Sequence, residues 1–175
     1  MNRLKKIALL VLFILGLLIM FGTWYKFKYS MDKVVSSTIN SPELERSLVI
    51  ATQGSEFKNA VTNNIVNEYE NDSIFIRIID ISNLTEIDPK DHSAIILIHT
   101  WENWRPPMSI KEFVDRTIDH KDKIVVMTTS GEGSSKMKNV DAITGESIKD
   151  NVIPFTERAI ERLSPLLSKS SNLNQ

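Results

Sequence analysis

The hydrophobic positions near the start of the chain form one uninterrupted apolar run. Residues 7–25 contain no charged side chain over 19 positions. At about 1.5 Å per residue, a helix of this length spans ~28 Å, which is close to the hydrocarbon thickness of a bilayer. Lys or Arg flanks both ends, and Trp24 and Tyr25 stand where interfacial aromatic residues are usual. The pattern predicts a membrane anchor at residues 1–28.

A cleaved signal peptide is the main alternative to a permanent anchor. Small residues two positions apart normally mark a cleavage site after the apolar run. Phe21, Trp24 and Tyr25 fill that region instead. We therefore expect an uncleaved signal-anchor that contacts the lipid bilayer through residues 7–25. The short basic N-terminus favours an N-inside orientation, with the rest of the chain outside the cytoplasm.

After the anchor, the polar residues 29–45 predict a linker, and from residue 46 apolar runs alternate with helical spacing. Four short β-branched runs and one weaker one predict strands at 48–51, 74–79, 94–98, 124–127 and 140–143. Between and after them, apolar residues spaced by three and four predict helices beginning near 56, 109 and 154. Ser55 is a candidate N-cap, and Ser109 with Glu112 resembles a capping box.

Continuous apolar strands that alternate with helices indicate a parallel sheet covered on both faces. The sequence thus predicts a three-layer α/β domain at 46–168, followed by a disordered tail at 169–175. Only residues 81–93 and 130–139 link the second strand to the third and the fourth to the fifth. Both links are near the minimum length for a parallel crossover, so we expect reduced or absent helices there.

Composition narrows the function classes. The chain has 175 residues, a net charge of −1 and no cysteine, which excludes disulfides, thiol catalysis and thiolate zinc sites. Residues 1–33 carry six Lys or Arg against one Asp, whereas the remainder carries 15 against 21 acidic residues. This acidic body argues against nucleic-acid binding, which needs clustered cations. The three histidines show no ligand spacing, and no catalytic set stands out.

Three polar segments follow predicted strands, where open α/β sheets bind ligands. They are loop 1 (Thr52–Ser55), loop 2 (Thr100–Trp104) and loop 3 (Thr129–Gly133). The run from Ile98 to Pro107, with Phe113 after it, resembles the Pro-Thr-Trp-x-x-Gly loop of the flavodoxins and its downstream Pro and Phe.

The resemblance to flavodoxins covers residues 47–167 and implies a five-stranded parallel sheet of order 2-1-3-4-5. It also implies non-covalent FMN, with the ring stacked on Trp101 or Trp104 and the phosphate on loop 1. The implied cofactor-binding residues are Thr52, Gly54, Ser55, Thr100, Trp101, Trp104, Thr129, Ser130 and Gly131.

Loop 1 differs from the flavodoxin phosphate loop, Ser/Thr-x-Thr-Gly-x-Thr. Ala51, Gln53 and Glu56 stand at its three hydroxyl positions. A Glu56 carboxylate that points inward at ~5 Å would repel a phosphate charge by about 3 kcal/mol at an effective dielectric near 20. Farther on, the run Asp141–Ser147 is similar to that of covalent FMN-carrier domains, with Ser147 at the attachment position and Glu146 replacing the usual Ala.

Two function hypotheses follow. The first is a membrane-anchored flavodoxin-like protein that binds FMN for electron transfer or for reduction of a small acceptor, with a redox or membrane protein as partner. The second is a flavodoxin-like scaffold that has lost FMN and acts as a binding or accessory module at the membrane. Covalent flavinylation at Ser147 is a third alternative.

Overall fold

The computed structural model of the chain describes residues 3–29 and 31–168, so the predicted tail at 169–175 lies outside the described residues. The chain divides into two units between Met31 and Asp32. The first unit is helix α1, Arg3–Tyr29. Its segment Arg3–Trp24 is long and apolar enough to cross a membrane. The side chains of this segment are exposed, an arrangement that an apolar helix tolerates when lipid surrounds it.

The second unit, which we call the body, is a sheet with helices on both faces. Its elements in chain order are β1 (Ser37–Ile39), β2 (Arg46–Thr52), α2 (Glu56–Tyr69), β3 (Ile74–Asp80), β4 (Ala94–Thr100), α3 (Met108–Arg116), β5 (Ile124–Thr129), β6 (Ala142–Gly145) and α4 (Val152–Ser168).

The strands β2 to β6 form the predicted parallel sheet. The order across the whole sheet is β1-β3-β2-β4-β5-β6, and β3-β2-β4-β5-β6 is the expected 2-1-3-4-5 order. In the register, Leu48 of β2 lies between Ile76 of β3 and Ala94 of β4. The α/β class and the order of the parallel strands are therefore confirmed.

The strand count is corrected from five to six. Residues 29–45 were expected to form a linker, but Ser37–Ile39 pairs antiparallel with Ile76–Ile78 at the edge of the sheet. Asn40 follows with a positive φ of 68°, and its side-chain amide donates to carbonyl oxygens in the segment 70–74. This edge strand buries little apolar surface, so hydrophobic patterning carries no signal for it.

Two hydrophobic layers hold the sheet between its helices. On one face, Leu48, Ile50 and Ile96 pack with α2 and α4, which contribute Ile65 and Leu163. The other face packs against α3 and the residues of the crossover between β3 and β4, through the side chains Val49, Leu97, Phe113, Leu84 and Ile87. Because both faces are covered, the strands are apolar at nearly every position.

The helix boundaries follow the sequence pattern at two of three sites. Ser55 caps α2, because its hydroxyl accepts a hydrogen bond from the Lys58 N–H. Pro154 lies in the first turn of α4, as expected. The capping box is wrong: α3 begins at Met108, and Ser109 therefore lies inside the helix. Crossover 81–93 contains only short 3-10 helices, and segment 130–139 contains no helix, which confirms the expected reduction.

Candidate functional site

Loops 1, 2 and 3 leave the sheet at one edge. β2 ends at Thr52, which lies opposite Ile98 of β4, and Thr100 lies opposite Thr129 at the ends of β4 and β5. The parallel register therefore places the three loops side by side.

The strap, Asp32–Ser36, pairs with loop 1 through Asp32. The Gly54 N–H donates to the Asp32 carbonyl oxygen at 2.7 Å, and the Asp32 N–H donates to the Gly54 carbonyl oxygen at 3.0 Å. A Cβ atom built on Gly54 would lie 2.6 Å from the Asp32 carbonyl oxygen. Gly54 permits another backbone to come close because it has no side chain, and the backbone of Asp32 occupies that space.

A second hydrogen bond holds the strap farther along. The Val34 N–H donates to the Asp80 carboxylate at 3.0 Å, and Ser82 donates to the same carboxylate. Burial alone would raise the Asp80 pKa, but these hydrogen bonds outweigh it and lower the pKa. Since β1 follows directly, the strap is bound at both of its ends.

Lys58 places a buried ammonium group beneath loop 1. Its side chain is 0% exposed, and its Nζ lies 3.5 Å from the Ser55 hydroxyl oxygen. Burial lowers the Lys58 pKa to about 8, and the nearby Glu102 carboxylate offsets part of this shift. A cationic side chain of the chain itself therefore lies beside Ser55 of loop 1.

Gln53 connects loop 1 to loop 2. Its side-chain oxygen accepts from the Thr100 N–H at 2.7 Å, and its side-chain nitrogen donates to the Glu102 carboxylate at 3.3 Å. Gln53 also lines a small cavity together with residues between Glu102 and Met108. Its volume of about 210 Å³ is below the usual range for ligand pockets. Glu56 is exposed, so the repulsion expected from an inward carboxylate is reduced.

Loops 2 and 3 are also joined. The Trp101 N–H donates to the Thr129 carbonyl oxygen at 2.7 Å, and the hydroxyl oxygens of Thr100 and Thr129 lie 2.9 Å apart. Beyond Trp101, the backbone of Glu102 pairs with that of Arg105 in a tight hairpin. Asn103 and Trp104 have positive φ values of 48° and 62° at its tip, and Trp104 is 89% exposed.

The two tryptophans therefore have different surroundings. Trp101 is partly buried and lines a groove beside α3 of about 450 Å³, together with Pro106, Val114 and Met137. Trp104 does not line this groove. Trp101 thus lines a cavity within the size range of ligand pockets, whereas Trp104 is almost fully exposed.

Loop 3 folds toward β6 rather than toward loop 1. Thr129 and Ser130 are buried, and the Ser130 N–H donates to the Gly145 carbonyl oxygen at 3.1 Å. Gly133 has a φ of +66° and lies against Gly145 and the next residue. Gly131 is exposed, and a Cβ atom built on it would meet no atom within 4 Å.

His99 lies inside the sheet, at the position before Thr100. It is 0% exposed, its Nε2 is 3.0 Å from the Thr128 hydroxyl oxygen, and burial lowers its pKa to about 4. It is a neutral core histidine. Across residues 3–29 and 31–168, no group of three or more metal-ligating side chains comes together.

FMN, which the flavodoxin resemblance implies, does not fit the phosphate position of loop 1. The Gly54 N–H is already bonded to the Asp32 carbonyl oxygen, and the Gln53 side chain is bonded to Thr100 and Glu102. Gln53 was visible in the sequence as a departure from the flavodoxin phosphate loop. Asp32 was missed, because it acts through its backbone and any residue type could do so.

No protein-family model matches the chain, and neither does any curated protein. Among solved structures, a flavodiiron core from Synechocystis sp. PCC6803 matches with a TM-score of 0.52 and 10% identity, over 71% of this chain and 36% of that chain. An archaeal flavodoxin matches with a TM-score of 0.48 and 14% identity, over 69% of this chain and 98% of that chain.

A flavo di-iron protein mutant from Thermotoga maritima matches with a TM-score of 0.46 and 15% identity, over 73% of this chain and 37% of that chain. The chain therefore covers little more than a third of each flavodiiron chain. At these identities the likeness shows the fold alone: the body has a flavodoxin-like fold.

Proposed function

We propose that this protein is a membrane-anchored binding module on a flavodoxin-like scaffold, and that it works without FMN on loop 1. The observation that supports this proposal most directly is the pairing of Asp32 with Gly54, because it uses the N–H group that a phosphate would need. Fold alone does not require the cofactor, because function depends on the site and not on the scaffold.

The energetics support this proposal. A phosphate at Gly54 would have to break two backbone hydrogen bonds, each worth about 1 kcal/mol net. About 2 kcal/mol corresponds to a roughly thirtyfold loss of affinity. Opening the strap is therefore a precondition for a flavodoxin-type phosphate contact.

A second candidate function is FMN-dependent electron transfer. The groove beside Trp101 favours it, because an aromatic side chain at the end of a central strand is suited to a flavin ring. In this case Thr52, Gly54 and Ser55 would hold the phosphate after the strap had moved. When bound, FMN would supply the redox chemistry, and the protein would position the ring.

Absorbance of the purified full-length protein in detergent separates the candidates. We expect a colourless protein whose addition leaves FMN fluorescence unchanged at micromolar concentrations, for the wild type and for Glu56→Thr alike. A yellow chromophore that denaturation releases would support the second candidate. A colour that survives denaturation and disappears in Ser147→Ala would instead establish covalent attachment.

We also propose that residues 7–25 form a permanent anchor and that the body lies outside the cytoplasm. The length of the apolar helix and the basic N-terminus support this topology. The protein should stay in membranes through high-salt and alkaline washes and keep its N-terminus. A C-terminal alkaline phosphatase fusion should be active and a C-terminal GFP fusion dark. Recovery of a soluble form that begins after Tyr25 would contradict the anchor, and the reverse fusion result would contradict the orientation.

A further inference from the structure

The exposed apolar side chains of the body lie mostly at one edge of its sheet. Across residues 32–168, six large apolar side chains are exposed: Val35, Trp104, Met108, Ile118, Ile148 and Ile153. Ile118 precedes β5 and therefore lies at the amino ends of the strands. The other five lie at the carboxyl ends, from which loops 1, 2 and 3 leave the sheet, and we call this side the loop edge. Single exposed apolar residues are common on proteins, but their collection on one side indicates an interaction surface.

Trp104 is the most exposed of these side chains, and its hairpin holds it outward. Backbone hydrogen bonds of 3.0 and 3.1 Å join Glu102 to Arg105, so Asn103 and Trp104 form the turn between them. The Trp104 φ of 62° is a left-handed conformation that bulky residues seldom adopt. The ring is apolar and its N–H is a polar donor, a combination that suits the boundary between lipid and water.

The loop edge is also where the chain enters the body. The strap begins at Asp32, whose backbone pairs with Gly54 of loop 1. Tyr29, the last residue of α1, precedes Asp32 by only three positions. Three residues extend at most about 11 Å, whatever the direction in which the body points. If residues 7–25 span a bilayer, the loop edge is therefore tethered close to the lipid surface.

The charges of the body favour an apolar contact with lipid over an electrostatic one. Residues 34–175 carry 15 Lys or Arg against 21 acidic residues. Attraction to anionic lipids needs clustered basic residues, whereas insertion of aromatic and aliphatic side chains does not. At the hairpin, Arg105 is close in the chain to Glu102, so this segment carries no surplus charge. A zwitterionic phosphatidylcholine surface is therefore the appropriate probe.

We propose that the loop edge of the body rests on a lipid surface, with Trp104 at the boundary between the headgroups and the acyl chains. Val35 and Met108 add apolar side chains to the same contact. The proposal rests on the proposed membrane anchor, because the anchor keeps the loop edge near lipid. Lipid is favoured over a protein partner because the tether by itself brings lipid to this edge.

Quenching by labelled lipid tests the position of Trp104. Full-length protein is reconstituted in phosphatidylcholine vesicles with or without phosphatidylcholine that carries a nitroxide near the top of its acyl chain. The variant Trp24→Phe, Trp101→Phe leaves Trp104 as the only tryptophan. The matched control adds Trp104→Phe and Ile118→Trp, which moves the single tryptophan to an exposed position at the amino ends of the strands.

We expect the nitroxide lipid to lower Trp104 emission roughly twofold or more, because interfacial side chains lie only about 5–10 Å inside the lipid boundary. The tryptophan of Ile118→Trp should keep its emission. The six residues of β5, which separate it from the loop edge, span about 17 Å.

A second measurement keeps all three native tryptophans and so does not depend on folding of the tryptophan variants. The chain has no cysteine, so Val35→Cys and Ile118→Cys can each carry a single nitrobenzoxadiazole fluorophore. Both native side chains are exposed, at 87% and 57%, so the labels leave the core intact. The nitroxide lipid should quench the fluorophore at Val35→Cys and spare the fluorophore at Ile118→Cys.

An alkaline wash of the same vesicles separates failure of this proposal from failure of the anchor. Release of the protein by the wash would overturn both. If the protein stays with the vesicles but neither Trp104 nor the Val35→Cys label is quenched more than its Ile118 control, the anchor stands and the lipid contact is wrong. The exposed side chains of the loop edge would then be assigned to a protein partner. Equal quenching at both edges would also contradict the proposal, since the body would then have no preferred side toward lipid.

Discussion

Replacing Gly54 by alanine is the most direct test of the strap. Gly54 does not have a positive φ, so the backbone itself accepts alanine. The added Cβ, however, would lie 2.6 Å from the Asp32 carbonyl oxygen and 2.9 Å from the Asp32 Cβ. The first of these is a backbone atom, which cannot move aside as a flexible side chain can. The strap must therefore shift away from loop 1.

The size of the effect follows from the hydrogen bonds that this shift breaks. Two backbone hydrogen bonds, at about 1 kcal/mol each, give a loss of about 2 kcal/mol. Alanine reduces the freedom of the unfolded chain relative to glycine, which returns about 0.5–1 kcal/mol. We expect Gly54→Ala to lower the free energy of unfolding by about 1–1.5 kcal/mol. The Val34 hydrogen bond to Asp80 should survive, because it lies farther along the strap.

Urea unfolding of full-length protein in detergent, followed by tryptophan fluorescence in a Trp24→Phe background, measures this change. Gly131→Ala is the matched control, because a Cβ there meets no atom within 4 Å. It should be neutral or slightly stabilising. Amide hydrogen exchange supplies a local readout: the Asp32 and Gly54 amides should exchange faster in Gly54→Ala alone. Equal midpoints and equal exchange in both alanine variants would refute the reasoning about the strap.

Three further predictions concern buried groups. Burial holds His99 neutral with a pKa of about 4, so its full contribution to the free energy of unfolding is present above pH 6.5. This contribution should fall by about 3 kcal/mol as the pH drops from 6.5 through 4. Urea midpoints measured from pH 7 to 4 should show that His99→Gln loses most of this pH dependence. The Lys58 pKa of about 8 lies below the unfolded value of 10.5, so stability should rise between these two pH values, and a Lys58→Met protein that kept the rise would contradict the assignment. In Gly145→Ala the new Cβ would lie 2.5 Å from the Phe155 ring, so thermal unfolding should show a loss of about 1–3 kcal/mol that Gly131→Ala lacks.

Side-chain patterning determined the parts of this protein that bury apolar surface. The strands around Ile50, Ile76, Ile96 and Val126 are buried on both faces of the sheet, so they appear in the sequence as continuous apolar runs. The apolar run of α1 is visible for the same reason, with lipid as the expected surroundings. From these runs the α/β class, the long apolar helix and the common edge of the three loops all follow.

Only the tertiary structure decided how that edge is used. Asp32 contacts Gly54 through backbone atoms, and such pairing leaves no trace in residue type. The interactions of Gln53 and Lys58 were likewise invisible in the sequence. Gln53 bonds to Thr100 and Lys58 is influenced by Glu102, and both partners are 44 or more positions away in the chain. The hydrophobic pattern of a sequence indicates which side chains are buried. Hydrogen bonds between polar segments depend instead on where the strands lie in the folded structure. That is why loop 1 could be located from the sequence while its pairing with the strap could not.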